Sequence, residues 1–125
     1  MKTFWIALGG LVGVFARYYG GLAAARFLPP TFPYGTFLIN LFGAFLIGVV
    51  YVAGLERQAI PEAIRVGLMV GFLGGFTTFS SYCLESARLL ETGQYLAAAL
   101  YYILSPLLGL VCVGIGLLVT RYFLL

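Results

Sequence analysis

The 125-residue chain has no histidine and no aspartate; four glutamates and seven Lys and Arg leave it only 9% charged, against about 25% in a soluble domain. Without histidine there is no imidazole metal site, no His-based general acid or base and no Ser-His-Asp triad. The sole lysine, Lys2, stands at the N-terminus, so no membrane-embedded amine is present for Schiff-base chemistry. No nucleotide-binding glycine loop occurs in an aqueous context. The cysteines Cys83 and Cys112 lie in apolar surroundings with no CxxC or framework spacing and read as packing residues. The basic residues give a net charge of +3 but are scattered, forming no patch or stripe for nucleic acid.

What the chain has in quantity is apolar surface: 62% of its residues are hydrophobic and its mean hydropathy is +1.06. A helix needs about 20 apolar residues to cross a bilayer, so four spans with short turns use the whole length as one all-α transmembrane domain. The spans are expected at about 3–27, 34–55, 62–91 and 94–122. Pro29, Pro30 and Pro33 end the first, Glu56-Arg57-Gln58 and Pro61 mark the second turn, and Gly93 closes the third span. Lys2, the run Phe4 to Phe15 and Ala23-Ala24-Ala25 imitate a cleaved secretory signal, but Arg17 and the length of the stretch favour a retained span. Pro106 is expected to kink the fourth span. With both termini on one side, Lys2, Arg57, Arg65 and Arg121 face Arg26 and Arg88 across the membrane. That bias is weak and agrees equally with a modest N-in preference and with insertion in either direction, so a dimer of oppositely inserted copies is open.

Each span carries small or polar residues at helical spacing: Gly9, Gly13, Arg17 and Gly20 or Gly21 in the first; Thr36, Asn40, Gly43 or Ala44, and Gly48 in the second. The third has Gly67, Gly71, Gly75 and Thr78, and the fourth Ser105, Gly109, Cys112, Gly116 and Thr120. Small residues let helix backbones approach closely in lipid, which accounts for the glycines. Arg17 either faces a cavity or partner or snorkels to the headgroups. Asn40 is either glue between helices or a ligand to something polar in a pore. Glu85 is the one carboxylate that approaches mid-depth, and its position before Arg88 suggests a local ion pair.

The run Gly71-Phe72-Leu73-Gly74-Gly75-Phe76-Thr77-Thr78-Phe79-Ser80-Ser81-Tyr82 falls in the middle of the third stretch, which at roughly 45 Å is overlong for a hydrocarbon core of about 30 Å. Paired glycines followed by threonines and serines make it the weakest helical segment, and a break is expected near residues 74–79. Mid-membrane backbone groups released by a break must face protein, water or an ion. Carbonyls suit a hard cation; helix-start amides and hydroxyls suit an anion. Phe79 and Tyr82, three residues apart, would present ring edges on one face, where the positive edge of the quadrupole can meet an anion.

Gly13 with Arg17-Tyr18, Gly35-Thr36 with Asn40 and Gly43, and the Gly71 to Ser80 run, in a four-span chain of this size, closely resemble the Fluc (CrcB-type) fluoride channel family. The likeness covers the first three spans in motif and the whole chain in layout; GGxTTFS with the upstream Asn is the specific part. The resemblance implies passive fluoride export across the inner membrane of a microbe by an antiparallel dual-topology homodimer with two pores. It implies a structural Na+ at the dimer centre on backbone carbonyls of Gly74 and Thr77. It places Phe79 and Tyr82 as pore aromatics, with Asn40, Ser80, Ser81, Thr36, Tyr101 and Ser105 as polar pore-lining positions and Arg17 near an aqueous vestibule. Tyr82 departs from the family, where phenylalanine is usual. Two other classes stay in view: a small four-span proton-coupled multidrug exporter, which needs an essential mid-membrane carboxylate, and a non-transporting membrane subunit.

Overall fold

The computed structural model describes residues 1–124, which form six α-helices arranged as four spans. The first span is α1 (Lys2–Phe27). Leu28, which precedes Pro29, is extended, as the clash with a following proline ring demands. The second is α2 (Tyr34–Tyr51), prolonged by a π-helical turn, Val52–Glu56. The third begins as α3 (Glu62–Val66), passes through a second π-helical turn, Gly67–Phe72, and continues as α4 (Leu73–Phe76) and α5 (Phe79–Glu91). Pro61 stands just before its first turn rather than within it. The fourth, α6 (Tyr95–Phe123), stays helical through Pro106. All four spans are long and apolar enough to cross a membrane. The reversal between α5 and α6 uses Gly93 at φ +76°, a left-handed position that suits glycine. There the N–H of Gln94 bonds the Leu89 carbonyl and that of Gly93 bonds the Leu90 carbonyl, satisfying two carbonyls the helix end leaves open.

Little of the chain is buried within itself; the fully shielded apolar side chains include Val52 and Tyr101, with Leu73, Phe76 and Tyr82 close behind. Close backbone approach holds the spans together instead. Gly9 and Gly13 of α1 lie against the carbonyls of Gly67 and Phe72, where a methyl group would collide, and Gly71 and Gly75 meet α1 in the same way. Gly48 of α2 and Gly116 of α6 leave no room for a Cβ against Val113 and Phe45. These glycines pack helices, as their spacing suggests. Gly21, Gly109 and Gly114 have open space beside them.

Ion pairs bind the spans at the end that carries both termini. Lys2 reaches Glu62 at 2.9 Å, and Arg121 clasps Glu56 through two nitrogens at 2.9 and 2.6 Å. They tie α1 to α3 and α6 to the end of the second span.

Candidate functional site

Two residues, Thr77 and Thr78, separate α4 from α5 at the midpoint of the third span. Both are extended, Thr77 at φ −88°, ψ 158° and Thr78 at φ −148°, ψ 125°. The reason lies in α2. The Asn40 amide oxygen accepts the N–H of Thr78, and its nitrogen donates to the Thr78 carbonyl, each at 2.9 Å. One side chain thus pairs both backbone groups of a residue that no helix serves. The N–H of Ser81 goes to the Thr78 hydroxyl at 3.3 Å, capping α5. Had the helix continued, the N–H groups of Thr78 and Ser81 would have bonded the carbonyls of Gly74 and Thr77. Thr77 donates both its N–H and its hydroxyl to Leu73, at 3.0 and 2.8 Å.

Arg17 is half-buried and donates from Nε to the Gly75 carbonyl at 2.9 Å, placing its positive charge at the C-terminal end of α4, where open carbonyls favour a cation. Of the two readings that its position in the first span allowed, a protein partner is the one present.

Beside the break lies a cavity of about 300 Å³ lined by Asn40, Thr77, Thr78, Phe79, Tyr82, Ser105, Pro106 and Gly109. Its walls carry no formal charge. The Ser105 hydroxyl is buried and is without a hydrogen-bond partner among the described residues. Phe79 is 76% exposed on the single chain, its ring 5.9 Å from that of Tyr82. Ser80 and Ser81 begin α5 outside this lining: Ser80 is exposed with its hydroxyl 3.4 Å from that of Thr78, and Ser81 contributes its N–H to the cap. Gly74 is exposed on α4.

Tyr82 shows why a hydroxyl fits where phenylalanine would serve as an aromatic edge. Pro106 has no N–H, so the carbonyl of Tyr102, four residues earlier in α6, has no helical donor. The Tyr82 hydroxyl donates to that carbonyl. The hydroxyl is therefore committed to α6 and not presented to the cavity. Tyr82→Phe should leave the Tyr102 carbonyl unpaired and destabilise the protein by about 1–3 kcal/mol, while keeping the ring in place. Thermal unfolding in detergent measures the first effect, and an unchanged melting temperature would reject it.

One helical turn from the first cavity, a second group of polar side chains meets. Thr36 lies four residues before Asn40 on α2, Tyr101 four before Ser105 on α6, and Glu85 three after Tyr82 on α5. The Thr36 hydroxyl donates to Glu85 Oε2 at 3.1 Å and the Tyr101 hydroxyl to Oε1 at 3.0 Å. The ion pair with Arg88 that sequence spacing suggested is not formed; among the described residues Glu85 enters no ion pair, because its carboxylate turns inward to α2 and α6. Thr36, Glu85 and Arg88 open onto a larger cavity of about 510 Å³ bounded by the end of α1, the proline connection and the end of α5.

The structure thus gathers Asn40, Phe79, Tyr82 and Ser105 around one neutral cavity and sets Thr36 and Tyr101 a turn away. The Glu85 clasp, the Arg17 bond to Gly75 and the Tyr82 link to the proline-released carbonyl were not read from the sequence. Only the last had a visible signal, since Pro106 identifies Tyr102 as the residue with an open carbonyl.

Comparison with known proteins agrees with this architecture. Residues 4–117 match the family model described as CrcB-like protein, Camphor Resistance (CrcB). The chain is 43% identical over 117 residues to a Geobacter metallireducens protein named fluoride-specific ion channel FluC, the match covering 94% of each chain. Proteins of that name from Magnetococcus marinus and Rhizobium etli are 39% and 40% identical over 121 residues. Those matches cover 97% of this chain and 98% and 97% of the relatives. A four-span membrane chain matched over nearly its whole length at this identity belongs to the CrcB-like family.

Proposed function

We propose that the protein is a fluoride-selective ion channel that lets fluoride leave the cell passively and so protects it from fluoride toxicity. The observation that carries this reading is the neutral cavity at the helix break, lined by Asn40, Ser105 and Phe79, with the Ser105 hydroxyl buried behind that lining and without a partner among the described residues. The name carried by the relatives agrees with it. Fluoride is small and strongly hydrated, so donors must replace its water, yet a fixed positive charge in the path would hold it too tightly to conduct. Amides, hydroxyls and ring edges meet both requirements. The chemistry is transport, not catalysis.

The working unit is an antiparallel dual-topology homodimer in the cell inner membrane. Three facts support it. Phe79 lies at the surface of a single chain beside the half-buried Thr77 and Thr78, and the Thr77 carbonyl, whose helical donor is diverted to the Thr78 hydroxyl, would find no partner in lipid. The cavity opens on that same surface. The basic residues divide four to two between the two faces, too evenly to fix one orientation.

A structural Na+ fits this break. The donors that helix continuation would have given to the carbonyls of Gly74 and Thr77 are diverted to Asn40 and to the Thr78 hydroxyl. Those two carbonyls would hold the ion, as oxygen ligands to a hard cation. When bound, it would neutralise converging backbone dipoles and rigidify the centre of the dimer.

Fluoride-electrode measurement of efflux from liposomes holding the purified protein tests the function. Fluoride should pass and chloride should not; equal passage of both ends the claim of selectivity. Phe79→Ile replaces a ring edge by alkyl surface and should cut the flux about tenfold or more, by the loss of roughly 1.4 kcal/mol of interaction. An unaltered rate rejects Phe79 as a pore group. The proton-coupled exporter reading rests on one observation, a carboxylate within the spans that enters no ion pair among the described residues. Substrate-driven proton movement lost on changing Glu85 would favour that class instead.

A further inference from the structure

Glu85 sits where an anion path can least accommodate a carboxylate. The inner cavity and the larger one share two helices: α2 supplies Asn40 to the first and Thr36 to the second, and α5 supplies Tyr82 to the first and Glu85 to the second; α6 lines only the first, through Ser105, Pro106 and Gly109. Tyr101 is fully buried one turn from Ser105, its ring 5.2 Å from that of Tyr82. An ion moving one helical turn, about 5.4 Å, from the inner cavity toward the outer one therefore arrives at the hydroxyls of Tyr101 and Thr36. Both already donate to Glu85, at 3.0 and 3.1 Å. A hydroxyl has one proton to give. While the carboxylate accepts both, neither hydroxyl is a donor to anything else.

A half-buried carboxylate in no ion pair among the described residues, with Arg88 on the wall of the same outer cavity, is an anion held directly by neutral donors, which is the same chemistry the inner cavity offers a permeating ion. We propose that Glu85 acts as a displaceable stand-in for the permeating anion: its carboxylate occupies the Thr36 and Tyr101 hydroxyls, and an arriving halide competes with it for them. The inference rests on the channel reading and deepens it by naming the group that sets how loosely the ion is held at the outer end of the path. Glu85 lines the 510 Å³ cavity as well as touching the two hydroxyls. Its side chain thus has open space to swing into when the ion takes its place. Repulsion between ion and carboxylate then weakens the ion's hold on the hydroxyls, Arg88 on the wall of the outer cavity draws the anion to that side, and the return of the carboxylate resets the donors. No bond is made or broken beyond these hydrogen bonds. Glu85 is a positioning residue in this scheme, acting through the hydroxyls it occupies.

The test separates affinity from rate. Initial fluoride flux from liposomes is measured against fluoride concentration for the unaltered protein and for Glu85→Gln, which keeps the shape and removes the charge. Loss of the competing anion should lower the half-saturating fluoride concentration about tenfold, within the usual range of coupling between competing groups. The maximal rate should fall, because release is no longer driven. In a Thr36→Val, Tyr101→Phe background, Glu85→Gln should leave the half-saturating concentration unmoved, since there is nothing left to compete for. A purely structural carboxylate would lower the rate with the half-saturating concentration unchanged, and that result overturns the proposal. So does an equal shift with and without the two hydroxyls. If E85Q does not assemble, Glu85→Asp, whose shorter arm weakens its hold on the hydroxyls, should shift the half-saturating concentration in the same direction by less, and no shift overturns the proposal. Absence of fluoride flux from the unaltered protein removes the channel reading itself, whereas normal flux with no shift in E85Q removes this inference alone.

Discussion

Asn40→Asp should reduce fluoride flux by about a hundredfold or more. The Asn40 side chain has a donor end and an acceptor end, and Thr78 uses both. Aspartate keeps an acceptor for the Thr78 N–H, but its second oxygen then faces the Thr78 carbonyl at a separation that now holds a hydrogen bond. Two acceptors at that distance repel, so the pairing that fixes the extended residues is lost on one side. The substitution also places a negative charge on the wall of the cavity proposed to take an anion. Removing one preorganised donor from a site for negative charge lowers rates by about a hundred- to a thousandfold where this has been measured in enzymes. Asn40→Ala distinguishes the two contributions: it adds no charge but leaves both Thr78 groups unpaired, each at about 1–3 kcal/mol. It should therefore lower the melting temperature more clearly than a charge effect alone would. Electrode recordings of efflux and thermal melts on the same preparations check both statements. An N40D protein that conducts at the original rate would exclude Asn40 from the path and from control of the break.

The largest effect on assembly is expected at Gly13. An added Cβ there would overlap the carbonyl carbon and oxygen of Phe72, which are backbone atoms and cannot turn aside. Gly13→Val should push α1 off the third span. Overpacking usually destabilises by about 1–3 kcal/mol, and a rigid backbone contact belongs at the upper end or beyond. The displaced segment includes the π-helical turn immediately before α4, and α1 also carries Arg17, whose Nε bonds Gly75. The damage therefore reaches the break from a site on another helix. Loss of a monodisperse peak in detergent, with Gly21→Ala as a control at a glycine with nothing within 4 Å, measures this. Equal behaviour of the two variants would show that the α1 contact is dispensable.

Particular residues show how far the sequence could be read. The span boundaries were legible because prolines and a left-handed glycine punctuate an apolar chain, and these act locally: Leu28 is extended because Pro29 follows it, and Gly93 turns the chain at φ +76°. The packing role of Gly13, Gly71 and Gly116 was legible from period, since lipid gives helices little reason to approach except through small residues. The partner of each polar group was not. Glu85 and Arg88 have the right spacing for an ion pair along one helix, yet Glu85 turns to hydroxyls on two other helices. Asn40 was open between glue and ligand; it pairs with the Thr78 backbone and also lines the cavity.

Composition and local chemistry alone determined that the chain is a four-span membrane protein without histidine chemistry, and that its third span carries its weakest helical segment at mid-depth. These follow from the cost of burying charge and from backbone preferences, which each residue expresses wherever it stands. Tertiary structure alone decided which donors remain available. Three hydroxyls of similar chemistry have different fates: Tyr82 serves the carbonyl released by Pro106, Tyr101 serves Glu85, and that of Ser105, a residue of the cavity lining, is buried without a partner among the described residues. A hydrogen bond depends on distances of about 3 Å between atoms brought together by different helices, and no spacing along one chain encodes that.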